Sequence, residues 1–430
     1  MAGVLSLAPI RFGDTVRIAG PDAWASESNR VGANTLSVTE SRKPGRLFFA
    51  NPGPTNIPDS VLKAVQHFSV DFHDPEFIAL YDSCVERLKK VLKTSQHLFM
   101  YTASGHGAWE ASLVNLFSPG DLVLIPETGN FSESWTRMAE GHGLRVQTIP
   151  ADWRRGPDMV ALREALEADK GHEIKGIGIV HNETSTGMVC PLDQVRAVMD
   201  GAGHPALLLS DTISSLGSID FRMDEWRVDC AVGGSQKGLM LPTGMSFTAV
   251  SEKAMEAHKQ ARLGKHYFNW TVMMGRRHKG FVGTVPTSLF YGLDESLRLI
   301  EQEGLEQVFA RHQRLGEAVR RCVRHWSGNN GPSLFCETPG RESNSVTAVM
   351  MPEGHSAENV RRICMDRFNV SLGGGLSKLN GHVFRIGHLG DLNEPMVLGA
   401  LASIEMAFAI NNVPHAKGGV DAAMEYLAAA

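Results

Sequence analysis

Short, unbroken apolar runs alternate along this chain with stretches in which apolar residues return every three or four positions. Leu122-Val123-Leu124-Ile125 is such a run, entered through the turn sequence Ser118-Pro119-Gly120-Asp121, and it reads as a buried strand. Ile177-Gly178-Ile179-Val180 reads the same way and runs into a polar loop; Ala206-Leu207-Leu208-Leu209 ends at Ser210-Asp211. Between them the period changes. Trp109, Leu113, Leu116 and Phe117 recur at helical spacing after Ser104-Gly105-His106-Gly107, and Val195, Val198 and Met199 mark a helix starting near Asp193. Strands apolar along their whole length, separated by helices, predict a mostly parallel sheet covered on both faces: an α/β, doubly wound arrangement.

Beyond residue 290 the pattern becomes helix-rich, with Leu293, Leu297, Ile300, Leu305 and Phe309 as its apolar positions. Val346-Thr347-Ala348-Val349-Met350 and Val383-Phe384-Arg385-Ile386 then read as strands with helices around them. This predicts a large domain over 46–300 and a smaller C-terminal α/β domain over 301–430. Residues 1–45 are rich in Ser, Gly and Ala without sustained periodicity, and read as an arm or leader.

The 430 residues, 43% of them hydrophobic, are ample for a large core and long for one domain. A net charge of -5 gives no reason to expect nucleic acid or an anionic membrane as partner. The six cysteines, Cys84, Cys190, Cys230, Cys322, Cys336 and Cys364, form no Cys-x-x-Cys pair. Neither a metal site nor a disulfide framework is signalled, and isolated thiols fit a reducing, cytoplasmic setting. No apolar run approaches the ~18 residues of a membrane span, and the N-terminus lacks a basic-then-apolar signal pattern.

In open parallel sheets, ligands bind beyond the carboxyl ends of the strands, so the polar residues there carry the chemical information. Ser104-Gly105-His106 opens a helix: either an anion site made of free N–H groups or an ordinary capped turn. Asp211 follows an apolar strand. A buried carboxylate there needs a cationic partner such as a pyridinium N–H, whereas a loop Asp merely caps a turn. Lys237, in Gly233-Gly234-Ser235-Gln236-Lys237-Gly238, follows Cys230-Ala231-Val232. Desolvation there would lower its pKa and make it a nucleophile and base. His181-Asn182-Glu183-Thr184-Ser185-Thr186-Gly187 supplies hydroxyls directly after a strand. Arg385, flanked by apolar residues, should face an anion: a substrate carboxylate or an internal Asp or Glu.

These stretches, with Asn51-Pro52-Gly53-Pro54-Thr55-Asn56-Ile57-Pro58, Asp220-Phe221-Arg222-Met223-Asp224-Glu225-Trp226 and Phe384-Arg385-Ile386-Gly387-His388-Leu389-Gly390, carry a resemblance over about residues 47 to 427. The chain resembles the class V (fold type I) pyridoxal-5′-phosphate (PLP) aminotransferases, particularly those acting on serine or alanine with glyoxylate. The resemblance implies a homodimer and a set of roles. Lys237 matches the Schiff-base lysine, Asp211 the partner of the pyridine nitrogen, and Ile213 the apolar residue under the ring. Thr184 matches the hydroxyl near the phenolic oxygen. Ser104, Gly105, His106 and Gln236 match phosphate-site positions, and Thr284 a phosphate ligand from the other subunit. Arg385, helped by Ser215 and the Gly53 backbone, matches the substrate-carboxylate site. Two positions depart from the pattern. Phe131 stands where relatives often stack Trp on the ring, and Phe281 stands where some carry an aromatic hydroxyl reaching the neighbouring phosphate.

The resemblance favours serine as donor and glyoxylate as acceptor, with alanine, aspartate or another small amine as alternatives. Aspartate would need a second cationic clamp, and Arg276-Arg277-His278-Lys279 is the obvious supply. A cysteine desulfurase would need a mobile nucleophilic Cys; Gly373-Gly374-Gly375 offers none, and Cys364 sits in a helical pattern. A decayed, non-enzymatic binder is disfavoured by the joint presence of Lys237, Asp211 and Arg385. A nicotinamide enzyme is disfavoured because no Gly-x-Gly-x-x-Gly follows a strand.

Overall fold

The apolar runs become the middle of a seven-stranded sheet. In chain order the strands are β1 (Phe48–Ala50), β2 (His97–Tyr101), β3 (Leu122–Glu127), β4 (Arg145–Pro150), β5 (Ile174–Val180), β6 (Asn182–Glu183), β7 (Met188–Val189), β8 (Leu207–Asp211), β9 (Cys230–Gly234), β10 (Ser246–Val250), β11 (Ser333–Leu334), β12 (Val346–Met350), β13 (Val370–Gly374) and β14 (Val383–Gly387). This computed structural model describes residues 45–276 and 280–429. The expected arm over 1–45 lies outside the described residues save for Gly45, as do Arg277, His278 and Lys279 of the basic run.

The large sheet has the order β2-β10-β9-β8-β5-β3-β4. β10 runs against both neighbours, and the pairs from β9 to β4 are all parallel. The chain steps outward from β3 to edge strand β4, then returns past β3 to β5, β8 and β9. That reversal opens a crevice at the carboxyl ends of β3 and β5, where parallel sheets bind ligands. β8 and β9 are buried at every residue, which is why they read as continuous apolar runs.

The C-terminal sheet has the order β1-β13-β14-β12-β11. Its edge strand β1 comes from residues 48–50 and lies parallel to β13, although chain order alone assigned that segment to the larger domain. The helix-rich stretch is two helices, Thr287–Glu303 and Leu305–Trp326, parted at Gly304 with φ 89°. That left-handed conformation costs glycine little and other residues more. Leu315, Val319, Val323 and Trp326 place the second helix on the C-terminal core, while Val308 near its start packs into the core of the large sheet. Arg46–Ala430 form one compact unit. None of the helices among the described residues is long and apolar enough to cross a membrane.

Candidate functional site

The strand ends of the large sheet converge on a cavity of about 160 Å³, lined among others by Gly53, Gly105, His106, Trp109, Phe131, Thr184, Asp211, Ile213, Gln236 and Lys237. Each arrives on a different piece of the fold. The helix Gly105–Leu116 begins at the cavity, and Ser104 at its N-cap makes no side-chain cap bond, so the side chain does not consume the free N–H groups of the first turn. Phe131 sits in the first turn of the helix Asn130–Gly141, just beyond β3. Asp211 ends β8, and Lys237 follows β9.

The lysine loop is tied down on both sides. Ser235 Oγ donates to the Pro242 carbonyl at 2.7 Å, and the Lys237 carbonyl accepts from Met240 N at 2.9 Å and from Thr55 Oγ1 at 3.0 Å. Lys237 Nζ donates to the Pro52 carbonyl at 2.7 Å. Gly53, with φ 138°, stands so close that a Cβ there would lie 2.2 Å from Nζ. No side chain fits at that point, and the loop after β1 becomes part of the cavity wall. Burial, then the nearby Arg385 charge, pulls the Lys237 amine down to about 8, with Asp211 opposing. The uncharged, nucleophilic form is therefore far more populated near neutral pH than for an ordinary lysine, though the ammonium still predominates.

Asp211 is 5% exposed. Its Oδ1 accepts from Ile213 N at 2.7 Å, the turn contact open to any loop Asp, yet its carboxylate also faces the cavity. Burial pushes it up to about 7; the Glu183 charge adds to the rise, while the Ile213 N–H and Lys237 oppose it. Arg385 on β14 donates through Nε to the Gly374 carbonyl at 2.7 Å and through Nη1 to the Thr184 carbonyl at 3.1 Å. Burial draws its pKa down to about 10, so it stays cationic at neutral pH, and no ion pair to Asp or Glu is found for it among the described residues. Of the two anions the sequence allowed, an internal carboxylate comes no nearer than the buried Glu183, whose charge acts on Arg385 without an ion pair among the described residues.

Thr184 Oγ1 donates to Ser214 Oγ at 2.7 Å. The buried Gln236 Oε1 has no hydrogen-bond partner. A Cβ on Gly105 would meet Ile213 Cδ1 at 2.3 Å, so the helix start is a bare backbone cradle. Four predicted residues lie off the cavity wall, Ser104 at the helix N-cap among them. Ser215 Oγ is buried and bonded to His181 Nδ1 at 2.9 Å. Thr284 is exposed on the connection before Thr287–Glu303. Arg385 stands just behind, over Gly373 and beside Pro52. Phe281, at the position where some relatives carry an aromatic hydroxyl reaching the neighbouring phosphate, is 2% exposed in the chain's own core, edge-on to Phe290. An apolar ring with no hydroxyl is free to pack inward. Five of the six cysteines are buried, and none lines the cavity.

Two contributors escaped the sequence reading. Glu183, fully buried, accepts from Phe131 N at 3.1 Å, Ser132 N at 3.3 Å, Ser185 N at 3.1 Å and Ser185 Oγ at 2.6 Å. It caps the helix carrying Phe131 from across the crevice. Its place just before two hydroxyl residues, Thr184 and Ser185, in the polar run after β5 was the available signal. Trp109 was read only as a helix core position, and its indole lines the cavity.

The protein-family model "Aminotransferase class-V" matches residues 47–380. A serine–glyoxylate aminotransferase of Methylorubrum extorquens is 44% identical over 91% of this chain and 98% of its own length. An L-aspartate–glyoxylate aminotransferase of Paracoccus denitrificans is 43% identical over 87% and 94%. Among solved structures, an alanine–glyoxylate aminotransferase from Nostoc sp. superposes with a TM-score of 0.78 at 33% identity, over 88% of this chain and all of that one.

Proposed function

Since this chain belongs to the class-V aminotransferases, a family that works with PLP, we propose that it transfers the amino group of a small L-amino acid, serine in first place, to glyoxylate, yielding glycine and a 2-keto acid. The observation that carries this reading is the placing of Lys237 and Asp211 on one cavity, from adjacent parallel strands, with Arg385 directly behind it.

The residues fit the cofactor. A nucleophilic amine, a buried carboxylate without a cationic ion-pair partner at normal distance, an orphaned Gln236 Oε1 and the bare start of the helix Gly105–Leu116 match an aldehyde, a ring nitrogen and an anionic group. When bound, PLP supplies an electron sink for the charge left at Cα. Lys237 would hold the cofactor through its aldehyde and would carry the proton taken from the substrate Cα. Asp211 keeps the ring nitrogen protonated. Ile213 and Phe131 enclose the ring, the latter with less area than a Trp. Thr184 would hold the phenolic oxygen; Ser104, Gly105, His106 and Gln236 would hold the phosphate. Arg385, with the Gly53 backbone, orients the substrate carboxylate, its guanidinium held by two carbonyl oxygens. We read 46–300 and 301–430 as the large and small domains, with β1 joined to the smaller sheet. Exposed Thr284 would serve the phosphate of a second copy in a homodimer, and a protein sedimenting as monomer under assay conditions would refute that.

The near-equal identity to the L-aspartate–glyoxylate aminotransferase keeps that donor in view. Against it, Lys237 is the sole Lys or Arg lining the cavity among the described residues, and Arg276 donates instead to the Val282 carbonyl. A second carboxylate left unpaired there would be costly. The test is a single-turnover comparison of serine, alanine and aspartate on the loaded enzyme, with glyoxylate as acceptor. Serine should react fastest; aspartate reacting far faster would change the donor, and no amino transfer from any of them would end the reading.

A further inference from the structure

Trp109 lies just past the first turn of the helix Gly105–Leu116 and is fully buried. Its ring stacks on Trp135 at 5.7 Å and 15°, and stands edge-on to Phe131 at 6.3 Å and 73°. Both indoles bury an Nε1 that closes no hydrogen bond. Only one of the two lines the cavity, where it approaches the Asp211 carboxylate closely enough to favour its charged form. An orphaned buried donor is costly, and a buried carboxylate with a single close backbone donor is costly too. Each is the partner the other lacks.

We propose that Trp109 is a positioning residue for the transamination, its indole N–H holding Asp211 ionised and aimed into the cavity. The N–H is a donor only, and it binds the ionised carboxylate more strongly than the neutral acid. It works with the Ile213 N–H and the Lys237 ammonium, against the Glu183 charge. The Trp135 stack and the Phe131 edge fix the plane in which the N–H points. The part concerning the ring nitrogen rests on the proposed function; the link between the two side chains does not.

The test uses the full-length protein freed of cofactor. Infrared difference spectra across pH follow the protonated-carboxyl band that Asp211→Asn removes. Trp109→Phe keeps the aromatic stack and deletes the N–H, and should raise the Asp211 midpoint by about one pH unit. Trp135→Phe deletes an equally buried, equally unpartnered N–H outside the cavity, and should leave the midpoint in place. A purely packing role would move both alike, and that outcome overturns the proposal. Should Trp109→Phe fail to fold, indole-¹⁵N-labelled wild type decides: one indole proton signal should track the Asp211 titration and stop doing so in Asp211→Asn. No tracking signal overturns the proposal as well. A midpoint that moves as expected in a protein that transfers no amino group would sink the proposed function and leave this link standing.

Discussion

The seven-stranded and five-stranded parts of the molecule bury polar groups in opposite ways. In the C-terminal part, His388 is held through Nδ1 by the Asn344 carbonyl and through Nε2 by Thr347 Oγ1, both at 2.9 Å. His312 bridges the Val308 carbonyl and Gly390 N, and Arg320 bonds Glu317 and the Ser343 carbonyl. Around the large sheet, Trp109 Nε1, Asn182 Oδ1, Ser210 Oγ, Gln236 Oε1 and Ser246 Oγ are buried without partners. All such atoms among the described residues come from the chain before residue 250. Since unpaired buried polar groups cost free energy, the second part spends its polar groups on its own integrity. The first leaves two of them on the cavity wall, Trp109 Nε1 and Gln236 Oε1, and its titratable pair is shifted against its own charge by burial. The lesson concerns Arg385: it belongs by sheet to the satisfied half, and that half is what holds its fork steady behind the cavity.

The largest effect should come from the open half. Lys237→Ala should fold normally yet lose transamination by on the order of a thousandfold or more, since nucleophile and proton carrier vanish together. Near-wild-type turnover by the purified variant would break the contrast at its centre. Next, Arg385→Lys keeps the charge but loses the planar fork; kcat/KM for the amino acid should drop at least about thirtyfold. An equal drop for an amine without a carboxylate would show that Arg385 has another task.

The satisfied half should answer in stability. His388→Ala strands the Asn344 carbonyl and the Thr347 hydroxyl and should cost about 1–3 kcal/mol, read as a lower denaturant midpoint. A neutral result would mean that the network is dispensable. The smallest effect has the opposite sign. The Asp211 carboxyl is raised from 3.8 to about 7 by burial, so the stability it contributes is fully present below about pH 4 and lost as pH rises through about 7. In the cofactor-free protein, Asp211→Asn should therefore melt about 1–3 °C higher than wild type at pH 8, with the gain gone near pH 4, while chemistry in the loaded enzyme slows. A destabilised variant at pH 8 would place Asp211 among the satisfied groups.

Much of this was legible in the sequence because its cause is local. A strand packed on both faces must be apolar throughout, so β3, β5, β8 and β9 announced themselves, as did β12 and β14. The turn before β3 closes as its residues suggested, with Ser118 N donating to Asp121 Oδ2 at 2.7 Å. The polar residues closing β8 and following β9, Asp211 and Lys237, marked the cavity by position. Strands whose character depends on neighbours stayed hidden: β4 is largely exposed, β10 buries Ser246 and Thr248, and β13 ends in Gly373-Gly374. What the residues determined by themselves was thus the parallel layer, the order of its chemistry and, through resemblance, the family. Only the tertiary structure decided that residues 48–50 complete the C-terminal sheet, that Gly53 walls the lysine, that Glu183 caps a helix 51 residues away, and that Trp109 faces Asp211 while its neighbour Trp135 does not line the cavity. Each of those is a meeting of segments far apart in the chain, and burial and hydrogen-bond pairing at such meetings depend on which surfaces the fold closes together, a quantity no local spacing encodes.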